Sequence, residues 1–138
     1  MNASTKLKIL IVDDAQLSRK ELRSLLEKHG YEIEEATDGL EALEKIRAER
    51  PDMVVMDIMI PKMNGIDCCR LVKGDPLLAD TKILMVSRVS PNDVNDHVVE
   101  SFHYGCDDFI GRPINEQELL NKVTVLGIMA SRRERSVG

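Results

Sequence analysis

At 138 residues the chain has the length of one ordinary domain, since single cores span about 100–200 residues. Its 43% hydrophobic and 31% charged residues give the balance of a globular chain, which argues against disorder. A net charge of −5, with aromatics at 3% and no Trp, disfavours a basic phosphate-neutralising surface and a base-stacking platform, so no direct nucleic-acid partner is expected. No apolar run approaches the roughly 18 residues of a membrane span. The opening MNASTKLK lacks the apolar centre of a signal peptide, so the expected setting is cytoplasmic, without membrane contact. Cys68, Cys69 and Cys106 are odd in number and form no CxxC pair, which points to reduced packing cysteines.

In chain order, a first strand is expected over Lys8–Asp14 (KILIVDD) and then a helix with its stripe at Leu22, Leu25 and Leu26. After Gly30 comes a second strand, Tyr31–Ala36, followed beyond Gly39 by a helix carrying Leu40, Leu43 and Ile46. Pro51 precedes a third strand over Met53–Asp57, and Ile66 with Cys69 mark the next helix. A fourth strand, Lys82–Ser87, leads to Ser90 as a helix N-cap ahead of Pro91, with Val94, Val98 and Phe102 as the stripe. Gly105 ends that helix, Asp107–Ile110 forms the fifth strand, and Leu119, Val123 and Leu126 line the fifth helix. The basic end SRRERSVG reads either as a solvated helix end or as the start of a linker, giving one domain over 1–130 and a tail over 131–138.

Five strand–helix repeats with short connections predict an α/β fold: a doubly wound, five-stranded parallel sheet with helices on both faces. Strands one, three and four are apolar almost throughout, as strands covered on both faces are. In such sheets ligands bind beyond the carboxyl ends of the strands. Asp13 and Asp14 end strand one, Asp57 ends strand three, Ser87 ends strand four, and Arg112 lies just beyond strand five. With strand order 2-1-3-4-5, strands one and three are neighbours and three carboxylates converge. Two unit charges ~4 Å apart repel by about 4 kcal/mol at an effective dielectric of ~20. Such a cluster either raises its own pKa values or holds a hard cation, Mg²⁺ or Mn²⁺ rather than zinc. The alternative, that Asp13 and Asp14 merely cap the first helix, leaves Asp57 unexplained. Carboxylate, cation, hydroxyl and the forked Arg112 donor together describe a site for moving a phosphoryl group onto Asp57.

At this point the chain resembles the receiver domain of two-component response regulators, from about Lys8 to Val125. The carriers are VDDAQLSR around Asp13 and Asp14, ATDGLEAL after strand two, PDMVVMDIMIPKMNGID around Asp57, KILMVS ending in Ser87, and YGCDDFIGRPI ending strand five. The resemblance implies a flavodoxin-like (βα)5 fold and a signalling switch rather than a turnover enzyme. It implies that Asp57 accepts a phosphoryl group from a histidine kinase or phosphotransfer protein. By the same resemblance Asp13, Asp14, Asp57 and the backbone carbonyl of Met59 hold Mg²⁺, Ser87 is the switch hydroxyl and Phe109 the aromatic switch. The surface of the fourth helix, fifth strand and fifth helix then changes and is read by an output domain or effector protein, or by a second copy in a homodimer. It further implies a cis bond between Arg112 and Pro113.

Two departures stand out. Arg112 occupies the family's lysine position, and Arg88 follows the switch hydroxyl where a small residue is usual. Arg keeps the charge on a larger, more rigid fork, so the replacement is not conservative. These arginines motivate an alternative reading, a degenerate receiver that docks partners without phosphorylation. A haloacid-dehalogenase-type phosphatase needs an acid where Met59 stands, and a flavodoxin needs a phosphate-cradling loop where DDAQLS is acidic. His29, His97 and His103 show no ligand spacing.

Overall fold

The computed structural model describes residues 6–88 and 96–137, with the side chains of 88, 96–99 and 132–137 excepted. Its elements alternate: β1 (Lys8–Val12), α1 (Gln16–Lys28), β2 (Glu32–Ala36), α2 (Gly39–Glu49), β3 (Met53–Asp57), α3 (Gly65–Lys73), β4 (Lys82–Arg88), α4 (Asp96–His103), β5 (Asp108–Arg112) and α5 (Glu116–Val137). All pairings are parallel and the strand order is β2-β1-β3-β4-β5, the doubly wound arrangement expected.

The period of two along each strand sorts the apolar residues onto two faces. Leu10, Val12, Val54, Met56, Ile83 and Met85 turn toward α2 and α3, meeting Leu43, Ile46, Ile66, Cys69 and Val72. Ile9, Ile11, Val55, Leu84 and Val86 turn the other way and meet Leu22 and Leu26 of α1 with Leu119, Val123 and Leu126 of α5. A strand apolar at every position is therefore satisfied, because each face has its own helical cover. The three cysteines are buried free thiols, and burial pushes Cys68 and Cys106 up to about 12 and Cys69 up to about 11. They are packing residues, as expected.

The structure corrects several details. β1 stops at Val12, and Asp13, whose N–H still donates to the Ala36 carbonyl at 3.1 Å, begins the loop. β5 runs on to Arg112, so this arginine is the last strand residue, in register with Arg88, rather than a loop residue beyond the strand. Leu40 and Phe102, expected inside, are both 47% exposed. In α2 the inward stripe is Gly39, Ala42, Leu43 and Ile46. A Cβ on Gly39 would lie 1.9 Å from the Met63 carbonyl oxygen, so only glycine lets this helix start so close. Near the end of α4 the inward position is Ser101, one residue before Phe102. Ser90, Pro91 and Val94 lie outside the described residues, as does the Val98 side chain.

Candidate functional site

Asp57 closes β3, and β1 lies beside it on one flank with β4 on the other. The register that pairs Val12 with Met56 sets Asp13 and Asp57 at one sheet edge. Opposite Asp57 on β4 is Val86, whose carbonyl accepts from the Ile58 N–H at 2.9 Å, so the chain leaves β3 in a fixed direction. Gly65 then starts α3 directly against this turn. Its N–H donates to the Ile58 carbonyl at 2.8 Å, and a Cβ there would meet the Asp57 carbonyl oxygen at 2.5 Å.

A pocket of about 270 Å³ opens at this edge, lined by Asp13, Asp14, Ala15, Ser18, Asp57, Met59 and Arg112. Its charged groups are tied together. Arg112 Nη2 donates to Asp13 Oδ2 at 3.0 Å and to Asp57 Oδ2 at 3.2 Å. Asp13 is buried, and both of its oxygens are engaged: Oδ1 accepts from the Ala15 N–H at 2.9 Å, and Oδ2 also accepts from Ser18 Oγ at 2.5 Å. Asp57 Oδ1 accepts from the Met59 N–H at 3.3 Å. Burial raises the Asp57 carboxyl above the usual aspartate value, with the nearby Asp13 charge adding to the rise and Arg112 opposing it.

Of the residues singled out in the sequence, Asp13, Asp14, Asp57, Met59 and Arg112 share this pocket. Ser87 is buried at the end of β4, opposite Gly111 and one residue past Val86, and is not among the lining residues. Phe109 lies further down β5, half-buried against the α2–α3 side of the core. The Arg112–Pro113 bond is cis. The Arg88 side chain lies outside the described residues. The capping alternative fails, because the α1 N-cap is Ala15 and no side chain caps the helix.

The expected convergence of three carboxylates is only partly reached. Asp13 and Asp57 meet through the guanidinium, while Asp14 is exposed. Among the described residues no three His, Cys, Asp or Glu side chains gather closely enough to cage a cation by themselves. The donor chemistry nevertheless suits Mg²⁺: three carboxylates, all hard oxygen donors, line one small pocket with room for waters.

Sequence reasoning missed the support behind Asp13. Arg19 Nη1 donates to the Asp13 carbonyl at 2.9 Å while its Nε donates to Glu35 of β2 at 2.7 Å. Arg23 also pairs with Glu35, and the two arginines hold that carboxyl below its usual range, Arg23 contributing most. Ser18 and Arg19 sit inside the VDDAQLSR stretch, but their roles need α1 packed on β2 and carry no spacing signal of their own.

With this geometry in view, the comparisons are specific. The family model described as "Response regulator receiver domain" matches residues 9–124. The chemotaxis protein CheY of Thermotoga maritima is 41% identical over 122 residues, covering 85% of this chain and 97% of that protein. The response regulator MprA of Mycobacterium tuberculosis is 36% identical over 119 residues, covering 86% of this chain but 50% of MprA. The chain thus spans about half of one relative and nearly all of the other. Among solved structures, CheY4 of Vibrio cholerae superposes with a TM-score of 0.79 at 31% identity, covering 88% of this chain and 99% of that one. A CheY-like receiver protein from Methanospirillum hungatei gives 0.79 at 29% identity, covering 96% and 99%.

Proposed function

The chain belongs to the family of response regulator receiver domains, and on that premise we propose that Asp57 is its phosphoacceptor. Members of this family act as signalling switches, and the phosphoryl donor proposed here is a histidine kinase or phosphotransfer protein. The observation that carries the reading is a half-buried strand-end carboxylate, 15% exposed, in a pocket that also holds a second buried carboxylate and a fixed cation. Such a carboxylate is poorly hydrated and lines a cavity with room for a phosphoryl group, which is what a nucleophile toward phosphorus needs.

In the proposed transfer one Asp57 oxygen forms a bond to phosphorus as the donor's phosphorus–nitrogen bond breaks. The leaving imidazole keeps the electron pair and takes a proton from solvent. The Met59 N–H on Asp57 Oδ1 and Arg112 on Oδ2 orient the carboxylate, and Gly65 holds the turn that carries it. Asp13, Asp14, Asp57 and the Met59 carbonyl would hold Mg²⁺, which when bound offsets phosphoryl charge. Ser87 and Arg112 are the proposed donors to the new phosphoryl oxygens: Ser87 ends β4, the strand beside that of Asp57, and Arg112, one strand further on β5, already donates to Asp57. Phe109 and the α4–β5–α5 surface would pass the change to an output domain, an effector or a second copy. Residues 1–130 form the proposed receiver and 131–138 its tail or the start of a linker, in a cytoplasmic protein.

The test is intact mass after incubation with acetyl phosphate and Mg²⁺. One phosphoryl group should be gained by the native chain and none by Asp57→Asn. If the native chain gains nothing while its fold is intact, the phosphorylation-independent docking reading, which Arg112 on Asp57 favours, takes its place.

A further inference from the structure

Asp13 is the most buried of the three pocket acids. Its N–H donates to the Ala36 carbonyl at 3.1 Å and its own carbonyl accepts from Arg19 Nη1 at 2.9 Å, so neighbouring elements fix its backbone on both sides. What is left to set is the orientation of the carboxylate, and the start of α1 does this. Oδ1 accepts from the Ala15 N–H at 2.9 Å, and Oδ2 accepts from Ser18 Oγ at 2.5 Å. A serine inside a helix ordinarily turns its hydroxyl to the carbonyl one turn back. Ser18, itself half-buried and lining the pocket, reaches past that carbonyl to a carboxylate 2% exposed.

A carboxylate offers about four lone-pair positions, shared equally by its oxygens. The Ala15 N–H takes one on Oδ1, while Ser18 and Arg112 Nη2, the latter at 3.0 Å, take those on Oδ2. Only Oδ1 keeps a position to offer the pocket. We propose that Ser18 is a specificity-determining residue for the cation of this pocket: its hydroxyl makes Asp13 a one-oxygen ligand and so favours Mg²⁺ over Ca²⁺. That role rests on the phosphoacceptor reading, which makes this pocket the Mg²⁺ site. Mg²⁺ demands near-octahedral oxygens at about 2.0–2.1 Å and keeps several waters, so a carboxylate that gives one oxygen suits it. Ca²⁺ takes roughly six to eight oxygens at ~2.3–2.6 Å and commonly draws both from one carboxylate. Without Ser18, Oδ2 regains a position, and Asp13 can chelate the larger ion.

The experiment displaces Mn²⁺ with Mg²⁺ or with Ca²⁺ from the unphosphorylated native chain, Ser18→Ala, Ser18→Thr and Asp57→Asn, reading free Mn²⁺ by electron paramagnetic resonance. Circular dichroism establishes that each is folded. Outer partners of metal ligands alter metal affinity by about 10–100-fold when removed, and Ser18→Ala is expected to raise Ca²⁺ affinity relative to Mg²⁺ by about tenfold. Ser18→Thr, which keeps the hydroxyl, should hold the native ratio. If the Mg²⁺ and Ca²⁺ affinities of Ser18→Ala move together or not at all, the proposal is overturned, while Mn²⁺ binding that is weakened in Asp57→Asn leaves the metal site standing. A Ser18→Thr ratio that follows Ser18→Ala overturns it too, since the hydroxyl is then not what decides. If the native chain binds no Mn²⁺, the metal site and its selectivity fall together. Should Ser18→Ala fail to fold, Ser18→Cys, close in shape but with only a weak S–H donor, is measured in its place with the same expected direction.

Discussion

Burial lifts the Asp57 carboxyl above its ordinary value, and Arg112 offsets only part of that. Its folded-state pKa therefore exceeds the unfolded one, and the folded form binds the proton more tightly. The ionised carboxylate weighs against folding above the folded-state pKa, and that penalty disappears as pH falls through it toward the unfolded value. Asp57→Asn, which has no charge to bury and can still accept from Arg112, should melt no lower than the native chain at pH 7. The gap should close on acidification, as thermal melts across pH would record. Ser18→Ala removes a 2.5 Å hydrogen bond to a buried carboxylate, and a loss of about 1–2 kcal/mol is expected in denaturant titration. At this scale the sequence was informative at the carboxyl ends of the strands: Asp13 and Asp57 come together because β1 and β3 are neighbours, and Arg112 on β5 reaches both from the far side of β4. Ser18, Arg19 and Glu35 were opaque, because nothing in their spacing says that α1 crosses β2 at the height where those three groups meet.

Between elements, two contacts fix the pocket. Gly65 lets α3 begin against Asp57, where an added Cβ would meet the Asp57 carbonyl oxygen at 2.5 Å, Met85 Cε at 2.9 Å and Ile58 Cα at 3.0 Å. Two of these are backbone atoms that cannot swing aside. Gly65→Ala should cost about 1–3 kcal/mol, the range for overpacking, and slow phosphorylation by acetyl phosphate, since the displaced backbone is that of the acceptor. The second contact is Glu35, which clamps α1 to β2 through Arg19 and Arg23. Its folded-state pKa is depressed, so its contribution is present above the unfolded value and is lost as pH falls through the folded one. Glu35→Gln should lower the melting temperature at pH 7, with the difference vanishing at strongly acid pH. Apolar runs located all five strands within a residue or two, but the helical stripes slipped at Leu40 and Phe102. A helix position 100° from the expected face still reads as apolar, and a glycine or serine can be the residue that faces in.

Over the whole molecule, charge separates the two ends of the sheet. At the amino ends of β4 and β5, Lys73 Nζ donates to Asp107 at 2.8 Å and to the Thr81 carbonyl at 2.7 Å, while Asp107 also accepts from the Ile83 N–H at 2.8 Å. This knot ties α3, β4 and β5 together at the edge opposite the pocket. Asp107→Ala leaves Lys73 half-paired and one strand N–H without its acceptor, so a loss of about 1–3 kcal/mol is expected. The extent of labelling by acetyl phosphate should not change, which equilibrium unfolding and intact mass together would check. The architecture was legible because alternating strand and helix signals admit few topologies. What the pattern could not convey is that the cation expected at the acidic edge is already supplied in part by the chain itself, through Arg112.

The central claim is that Asp57 itself becomes the acyl phosphate, and reductive trapping tests it most directly. Borohydride converts an aspartyl phosphate to homoserine, and peptide mass mapping then locates the residue. After treatment with acetyl phosphate and Mg²⁺, homoserine is predicted at position 57 and nowhere else, and none without Mg²⁺. Homoserine at Asp13 or Asp14, or no reduced residue in a chain shown to be folded, would contradict the account.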